Sequence, residues 1–269
     1  MGVPYAEVIG DPIEHSKSPL IHKFWLQTLG LDGDYRARRV TPTELPAFLR
    51  SRRGDPTWRG CNVTMPHKQT ILALLDTVSR NAAAIGAVNT VRRGEDGRLH
   101  GRNSDVHGIW RSLDDVELAG KRVLLIGAGG AARAAAYAIQ QRTPGSTMVM
   151  NRNVAAAERL VEDFRLSGPA LPLGKLPPAD LVVNASAMGM AGVPWPVLDL
   201  EMLSADAVVF DMVYVPLETP LLAAARSCRL RTIDGHTLLI NQATEAFSIF
   251  FGHGAPADSM ATLRGRLTR

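Results

Sequence analysis

The sequence is poor in lysine and in cysteine. Lys17, Lys23, Lys68, Lys121 and Lys175 are its five lysines, set against 25 arginines in 269 residues. The two cysteines, Cys61 and Cys228, cannot make a disulfide framework. No CxxC pair or Cys/His ligand spacing is present, so a stapled secreted domain and a zinc module are excluded and no metal is expected. A reducing compartment suits such a chain, and a cytoplasmic location is the expectation. Long apolar runs are also missing. The opening MGVPYAEVIGDP is broken by Glu7 and Asp11, too soon for a membrane span or a secretory signal. It also carries Ala6 where a myristoylation signal needs a hydroxyl. The net charge of +4 rests on scattered arginines such as Arg36, Arg38, Arg39 and Arg59, without interleaved aromatics. Nucleic-acid and membrane partners are therefore not expected, and the mild positive field suits small anionic substrates.

What is present is an ordinary globular composition, 46% hydrophobic and 21% charged, in a chain long enough for one large or two modest domains. YAEVIG reads as a buried strand, followed by a loop and an apolar-periodic helix from Pro19 to Leu29, with proline at its start. DYRARRV and WRGCNVT read as strands, TELPAFLR as a helix, and PHKQTILALLD as a helix entered through Pro66. GAVNTVRRGEDGRLHGRN reads as two strands around a tight turn. Strands alternating with helices predict a mostly parallel α/β unit. From about residue 105 the buried strands lengthen. GKRVLLIGAGGAARAAAYAIQ, TMVMNR, ADLVVNAS, AVVFDMV and RLRTIDG predict a doubly wound, Rossmann-like sheet in which each strand leads to or from a helix. The last helix, TLLINQATEAFSIFFG, has an apolar stripe that suits packing back on the first domain. The fold class is α/β with two domains, residues 1–104 completed by C-terminal helices over 238–269, and residues 105–237.

Gly127, Gly129, Gly130, Ala131 and Ala132 lie between a strand and a helix. Such a loop lets a pyrophosphate approach the backbone and meet the NH groups and dipole of the helix N-terminus. The second strand ends in Asn151, Arg152 and Asn153, with no carboxylate for a ribose 2′-hydroxyl. This set suits a 2′-phosphate, so the cofactor is read as NADP(H). The stretch GCNVTMPHK holds one of the few lysines, Lys68. A genome that favours arginine keeps lysine where a proton must be given up or a compact ammonium is needed. The SKS stretch lacks the elbow of a serine hydrolase, and His15, His22 and His67 lack the helical spacing of metal ligands.

The motifs SKSPLIH, GCNVTMPHK, GAVNT, GRNSDVHG, GAGGAARA, NRN, NASAMGM, DMVYVPLETPLL and DGHTLLINQ follow one another from end to end. In this succession the chain resembles the shikimate dehydrogenase family. The resemblance implies two α/β domains flanking a cleft, and reversible reduction of 3-dehydroshikimate by NADPH within aromatic amino-acid biosynthesis. It implies Lys68 and Asp105 as the catalytic pair, Ser16 and Ser18 as donors to the substrate carboxylate, and Thr64, Asn89 and Gln242 as partners of ring hydroxyls, with Tyr214 nearby. On the cofactor side it implies Gly127, Gly129, Gly130, Ala131, Asn151, Arg152, Ser186, Met212 and Gly235. The sequence departs from the common pattern at Lys23, Asn153 and Ser104, the last in place of a threonine and expected to matter little. Relatives that favour quinate tend to carry threonine at the position of Ser18. A quinate/shikimate or aminoshikimate dehydrogenase is the alternative within the enzyme class. A catalytically silent NADP(H)-binding sensor is the alternative outside it, and retention of Lys68, Asp105, Asn89 and Gln242 argues against it. The expected state is a monomer or homodimer.

Hydride reduction of a ketone leaves negative charge on oxygen, where a cation with a proton to give is needed. Lys68 supplies both and Asp105 can hold its ammonium. Whether the lysine transfers the proton or mainly stabilises the oxyanion stays open at this level.

Overall fold

The computed structural model of the protein describes residues 2–195 and 199–268. The chain separates into two compact units, Met1–Gly108 with Ile240–Arg269, and Ile109–Leu239. The first unit contains β1 (Tyr5–Gly10), α1 (Ser18–Thr28), β2 (Asp34–Arg39), α2 (Leu45–Arg53), β3 (Trp58–Val63), β4 (Thr77–Val78), α3 (Arg80–Ile85), β5 (Thr90–Arg93) and β6 (Leu99–Arg102). The divisions between the units fall within α4 (Asp105–Ser112) and, late in the chain, within a long helix, Gly235–Phe251. The second unit contains β7 (Arg122–Ile126), α5 (Gly130–Gln140), β8 (Ser146–Asn151), α6 (Val154–Phe164), β9 (Ala170–Pro172), β10 (Leu181–Asn184), β11 (Val208–Asp211), α7 (Pro220–Ser227) and β12 (Arg231–Ile233). The long helix is α8, and α9 (Ser259–Leu267) follows it in the first unit.

The first sheet has the order β2-β1-β3-β5-β6-β4. It is mostly parallel, as the alternation of strands and helices predicts, and the tight turn between β5 and β6 adds an antiparallel hairpin that pairs antiparallel with β3. Strand β1 is buried along its whole length. Its side chains alternate between two cores, as the twofold period of a strand requires. Tyr5 and Ile9 join Phe48, Leu49, Trp58 and Ile71 on one face, while Ala6 and Val8 join Tyr35, Ala246 and Phe250 on the other. Arg52 on α2 donates two hydrogen bonds to the buried Glu7 carboxylate, 2.8 and 3.0 Å, and so ties α2 to β1.

The expected helix after Pro66 is only a 3-10 turn, Thr70–Leu74. The reason lies farther along the chain: the Lys68 carbonyl accepts from the Val88 amide at 2.7 Å instead of serving a helical bond. The second sheet is fully parallel, in the order β12-β11-β10-β7-β8-β9. Its β10–β11 connection carries no helix among the described residues, contrary to the expected regular alternation. The alanines of α5, Ala132, Ala134, Ala135, Ala136 and Ala138, are all buried, since small side chains let the helix lie close on its sheet. Among the described residues no helix is long and apolar enough to cross a membrane.

His22 on α1 is fully buried, with its ring stacked on Tyr35 at 4.0 Å and neither ring nitrogen hydrogen-bonded. Burial alone pushes its pKa from 6.5 down to about 3. The unfolded chain takes a proton near 6.5 and the folded chain does not, so its stability contribution is complete above 6.5 and is lost as pH falls towards 3. The slope in that window is about 1.4 kcal/mol per pH unit. His22→Phe keeps a stacking ring and removes the titration. Urea unfolding across this window is expected to show the variant gaining on the parent by about that slope. Any constant packing offset cancels, and parallel curves would remove the argument.

Candidate active site

The strand-to-turn junctions at one end of the first sheet bring the expected residues together. At the end of β1, Ile9 and Asp11 stay paired with the segment after β3: Thr64 N donates to Ile9 O at 2.9 Å and Asp11 N to Met65 O at 3.0 Å. Gly10 is required there, because a Cβ would lie 2.5 Å from Thr64 Cγ2. This pairing sets the loop that carries Ser16 and Ser18 beside the turn that carries Thr64 and Lys68. Ser18 N donates to Ser16 Oγ at 3.4 Å, and Ser18 is buried at the start of α1. Thr64 and Ser16 are half-buried. His67 is buried and its Nε2 sits 2.6 Å from the Val40 carbonyl, a structural contact. His15 is exposed.

Lys68 Nζ donates to Asp105 Oδ2 at 2.5 Å, and both side chains are largely buried. Asp105 opens α4, where a carboxylate favours the helix dipole. Its other oxygen accepts from Asn89 Nδ2 at 2.8 Å, and its amide donates to Asn103 Oδ1. Asn89 Oδ1 accepts from the Ser104 amide at 2.7 Å, and Ser104 Oγ lies 3.2 Å from Gln242 Oε1. Lys68, Asp105, Asn89 and Gln242 are thus joined through Ser104. The Ser104 hydroxyl bridges Asn89, Thr90 and Gln242, contacts that the hydroxyl of a threonine can equally make, so they do not overturn the expectation that serine in place of threonine matters little. Asn103 and Thr90 are further network members that the sequence reading passed over. The only signal for them was their place in the NSD and NT stretches. The arrangement presents one ammonium, fixed by a hydrogen-bonded carboxylate, beside amide and hydroxyl groups that can meet a polyhydroxylated ring.

The glycine loop of the second unit fits a dinucleotide. Gly127 has φ +115°, and a Cβ there would press on the Ala185–Ser186 backbone at 3.0 Å. A Cβ at Gly129 would meet nothing within 4 Å, so the loop is open where a phosphate would approach. No side chain caps the start of α5 and no acidic residue lies in its first turn, which leaves Gly130 and Ala131 at an unblocked helix N-terminus. Asn151 and Arg152 end β8 and begin the following turn, with Arg152 exposed and in none of the ion pairs of the described residues. Asn153 spends its side-chain oxygen capping α6, accepting from Ala156 N, while Asn151 Nδ2 donates to Asn153 O at 2.9 Å. Ser186 and Met212 are held by Asn184, which accepts from Ser186 Oγ at 2.7 Å and, through its carbonyl, from the Met212 amide at 2.9 Å. Asn184 in turn donates to Asp211, whose carboxyl is pushed up to about 6 by burial, against the pull of its hydrogen bonds from Thr219, Val213 and Asn184. Gly235 lets its segment meet the Val213–Tyr214 backbone, since a Cβ would lie 2.2 Å from Val213 O. Tyr214 is half-buried in this second unit, whereas the other expected substrate partners lie in the first.

The family model described as the shikimate dehydrogenase substrate-binding domain matches residues 8–91, and that described as shikimate/quinate 5-dehydrogenase matches residues 111–189. A curated relative, shikimate dehydrogenase (NADP(+)) of Sphingopyxis alaskensis, is 48% identical over 98% of this chain and 97% of its own length. A solved structure of shikimate 5-dehydrogenase from Thermus thermophilus, in complex with NADP(H) and shikimate, is similar with TM-score 0.87 and 34% identity, covering 98% of this chain and 99% of that one. The ligand-free 5-ketofructose reductase of a Gluconobacter strain is similar at TM-score 0.89 and 28% identity, covering 99% of both chains.

Proposed function

The chain belongs to the shikimate dehydrogenase family, and we propose that it is an NADP-dependent shikimate dehydrogenase that reversibly reduces 3-dehydroshikimate to shikimate. The observation that carries the reading is the Lys68–Asp105 pair, fastened to Asn89 and, through Ser104, to Gln242. NADPH, when bound, supplies the hydride to the ketone carbon. Lys68 is the group placed for the oxygen: its ammonium meets the charge as it develops and holds the proton that the new hydroxyl needs. Asp105 fixes the ammonium, and the second Asp105 oxygen is kept in place by Asn89. Thr64, Asn89 and Gln242 orient the ring through its hydroxyls, with Tyr214 as a further partner, and Ser16 and Ser18 take the carboxylate. The first unit is the substrate domain and the second the cofactor domain. Gly127, Gly129, Gly130 and Ala131 hold the pyrophosphate, Asn151, Arg152 and the Asn153 amide group take the 2′-phosphate, and Ser186, Met212 and Gly235 shape the nicotinamide side. Two free cysteines, one buried and one exposed, suit a cytoplasmic enzyme.

Shikimate carries its carboxylate on a flat, unsaturated carbon, whereas quinate has a tetrahedral carbon with an added hydroxyl. A pocket shaped for the first leaves that hydroxyl buried without a partner, which costs about 1–3 kcal/mol. The kcat/KM for shikimate with NADP+ is expected to exceed that for quinate by at least about tenfold. Ser18→Thr is expected to narrow the gap. Comparable kcat/KM for the two acids in the parent would move the chain to the dual-specificity reading while leaving the catalytic pair untouched.

A further inference from the structure

Strands β10 and β11 of the parallel sheet end in Asn184 and Asp211, which are paired in register and fully buried. Ligands of such sheets bind beyond the carboxyl ends of the strands. Asp211 Oδ1 accepts from Asn184 Nδ2 at 2.8 Å and from Val213 N at 3.0 Å, and Oδ2 accepts from Thr219 Oγ1 at 2.6 Å. All three partners are donors, so an acceptor-only carboxylate fits where an amide does not. The charge has no cation beside it. Asp211 enters none of the ion pairs of the described residues, and burial pushes its carboxyl up to about 6 with no charged group contributing. An uncompensated buried carboxylate is costly, and well-packed apolar residues hold strand ends together without that cost. Its presence there points to a task other than stability.

The task is visible in what Asn184 holds. Its amide nitrogen is engaged by Asp211 and by the Met188 carbonyl at 3.0 Å, which turns its oxygen to Ser186. That oxygen accepts from Ser186 N at 3.1 Å and from Ser186 Oγ at 2.7 Å, and Ser186 Oγ accepts from Met188 N at 3.1 Å. Asp211 thus fixes which way the Asn184 amide faces, and with it the turn over 185–188. This turn backs the glycine loop, where a Cβ on Gly127 would lie 3.0 Å from the Ala185 and Ser186 backbone. Val213, whose amide Asp211 holds, backs Gly235 in the same way. Gly127, Ser186 and Gly235, three separate parts of the cofactor side, therefore rest on atoms that Asp211 fixes.

We propose that Asp211 is a positioning residue for NADP(H), holding the Ser186 turn, the glycine loop and Gly235 through Asn184 and Val213. This rests on the reading of the second unit as the cofactor domain. The test is calorimetric titration of the full chain with NADP+, which needs no turnover. Asp211→Asn keeps the shape and removes the charge and one acceptor. It is expected to weaken NADP+ by about tenfold or more and to raise KM for NADP+ to match, with KM for shikimate as in the parent. Ser186→Ala is expected to weaken NADP+ as well. The two losses are expected not to multiply in the double variant, because both act through Asn184. The ratio of parent to Asp211→Asn affinity is expected to shrink as pH falls below about 6, where Asp211 itself takes up a proton. If Asp211→Asn does not fold, Thr219→Val carries the same test. It removes the donor to Oδ2 and the cap of α7, and is expected to weaken NADP+ without multiplying the Ser186→Ala loss. The proposal is overturned if Asp211→Asn binds NADP+ as the parent does, or if the losses multiply. It is also overturned if KM for shikimate and for NADP+ worsen alike, the mark of a merely structural role. A parent that binds NADP+ but does not oxidise shikimate would refute the proposed function and leave this role standing. A parent that does not bind NADP+ would refute the cofactor domain and this role with it.

Discussion

Lys68→Ala is expected to lower kcat by on the order of 10²- to 10⁴-fold, the range for loss of a positioned acid or base. In the proposed mechanism the lysine is held for one task. Its ammonium is 2.5 Å from Asp105 Oδ2, and Asp105 is itself fixed by Asn89 and Asn103. Removing the side chain leaves the developing oxyanion without a cation and leaves a buried carboxylate without its partner. Shikimate affinity should fall far less, since Ser16, Ser18 and the ring-hydroxyl partners remain. Lys68→Arg is expected to stay slow, because a guanidinium keeps its proton and its planar fork does not reproduce a compact ammonium. Steady-state kinetics with shikimate and NADP+ separate the cases. A variant that keeps most of kcat and raises only KM would make Lys68 a binding group.

Arg152→Ala is expected to weaken NADP(H) by roughly 10- to 150-fold and NAD(H) much less. The arginine is exposed at the end of β8, next to Asn151, and in none of the ion pairs of the described residues, so its charge is available to a 2′-phosphate. Charge-assisted hydrogen bonds to phosphate are worth about 1.5–3 kcal/mol. Asn153 is expected to contribute less than its place in the NRN stretch suggests, since its side-chain oxygen is committed to the start of α6. Calorimetric titration of both cofactors checks the assignment, and equal losses for NADP(H) and NAD(H) would refute it.

The parts legible in the sequence were those whose determinants lie close together along the chain. The β7–glycine loop–α5 unit is contiguous, so an apolar strand, two spaced glycines and an alanine-rich helix announce it. The same holds for β1, β3 and the β5–β6 hairpin. What could not be read depends on partners far along the chain. The links of Ser104 are not visible locally, because they reach Asn89, 15 residues away, and Gln242, 138 residues away. The turn after Lys68 looked helical because nothing nearby shows that Val88 takes the lysine carbonyl. Strands β4 and β9, of two and three residues, are too short to carry a period. His22 sits in a motif that invites a chemical role. Its burial against Tyr35, Trp25 and Phe247 makes it part of an aromatic core instead.

The central claim is that the Lys68–Asp105 pair serves ketone reduction by NADPH, and the most direct measurement is turnover by the purified chain of 3-dehydroshikimate with NADPH, scoring both NADPH consumed and shikimate formed. The account predicts sustained turnover with one shikimate per NADPH, and much weaker turnover when NADH replaces NADPH. Binding of both ligands without any shikimate formed would contradict it, and would make the chain a silent NADP(H)-binding protein on this fold.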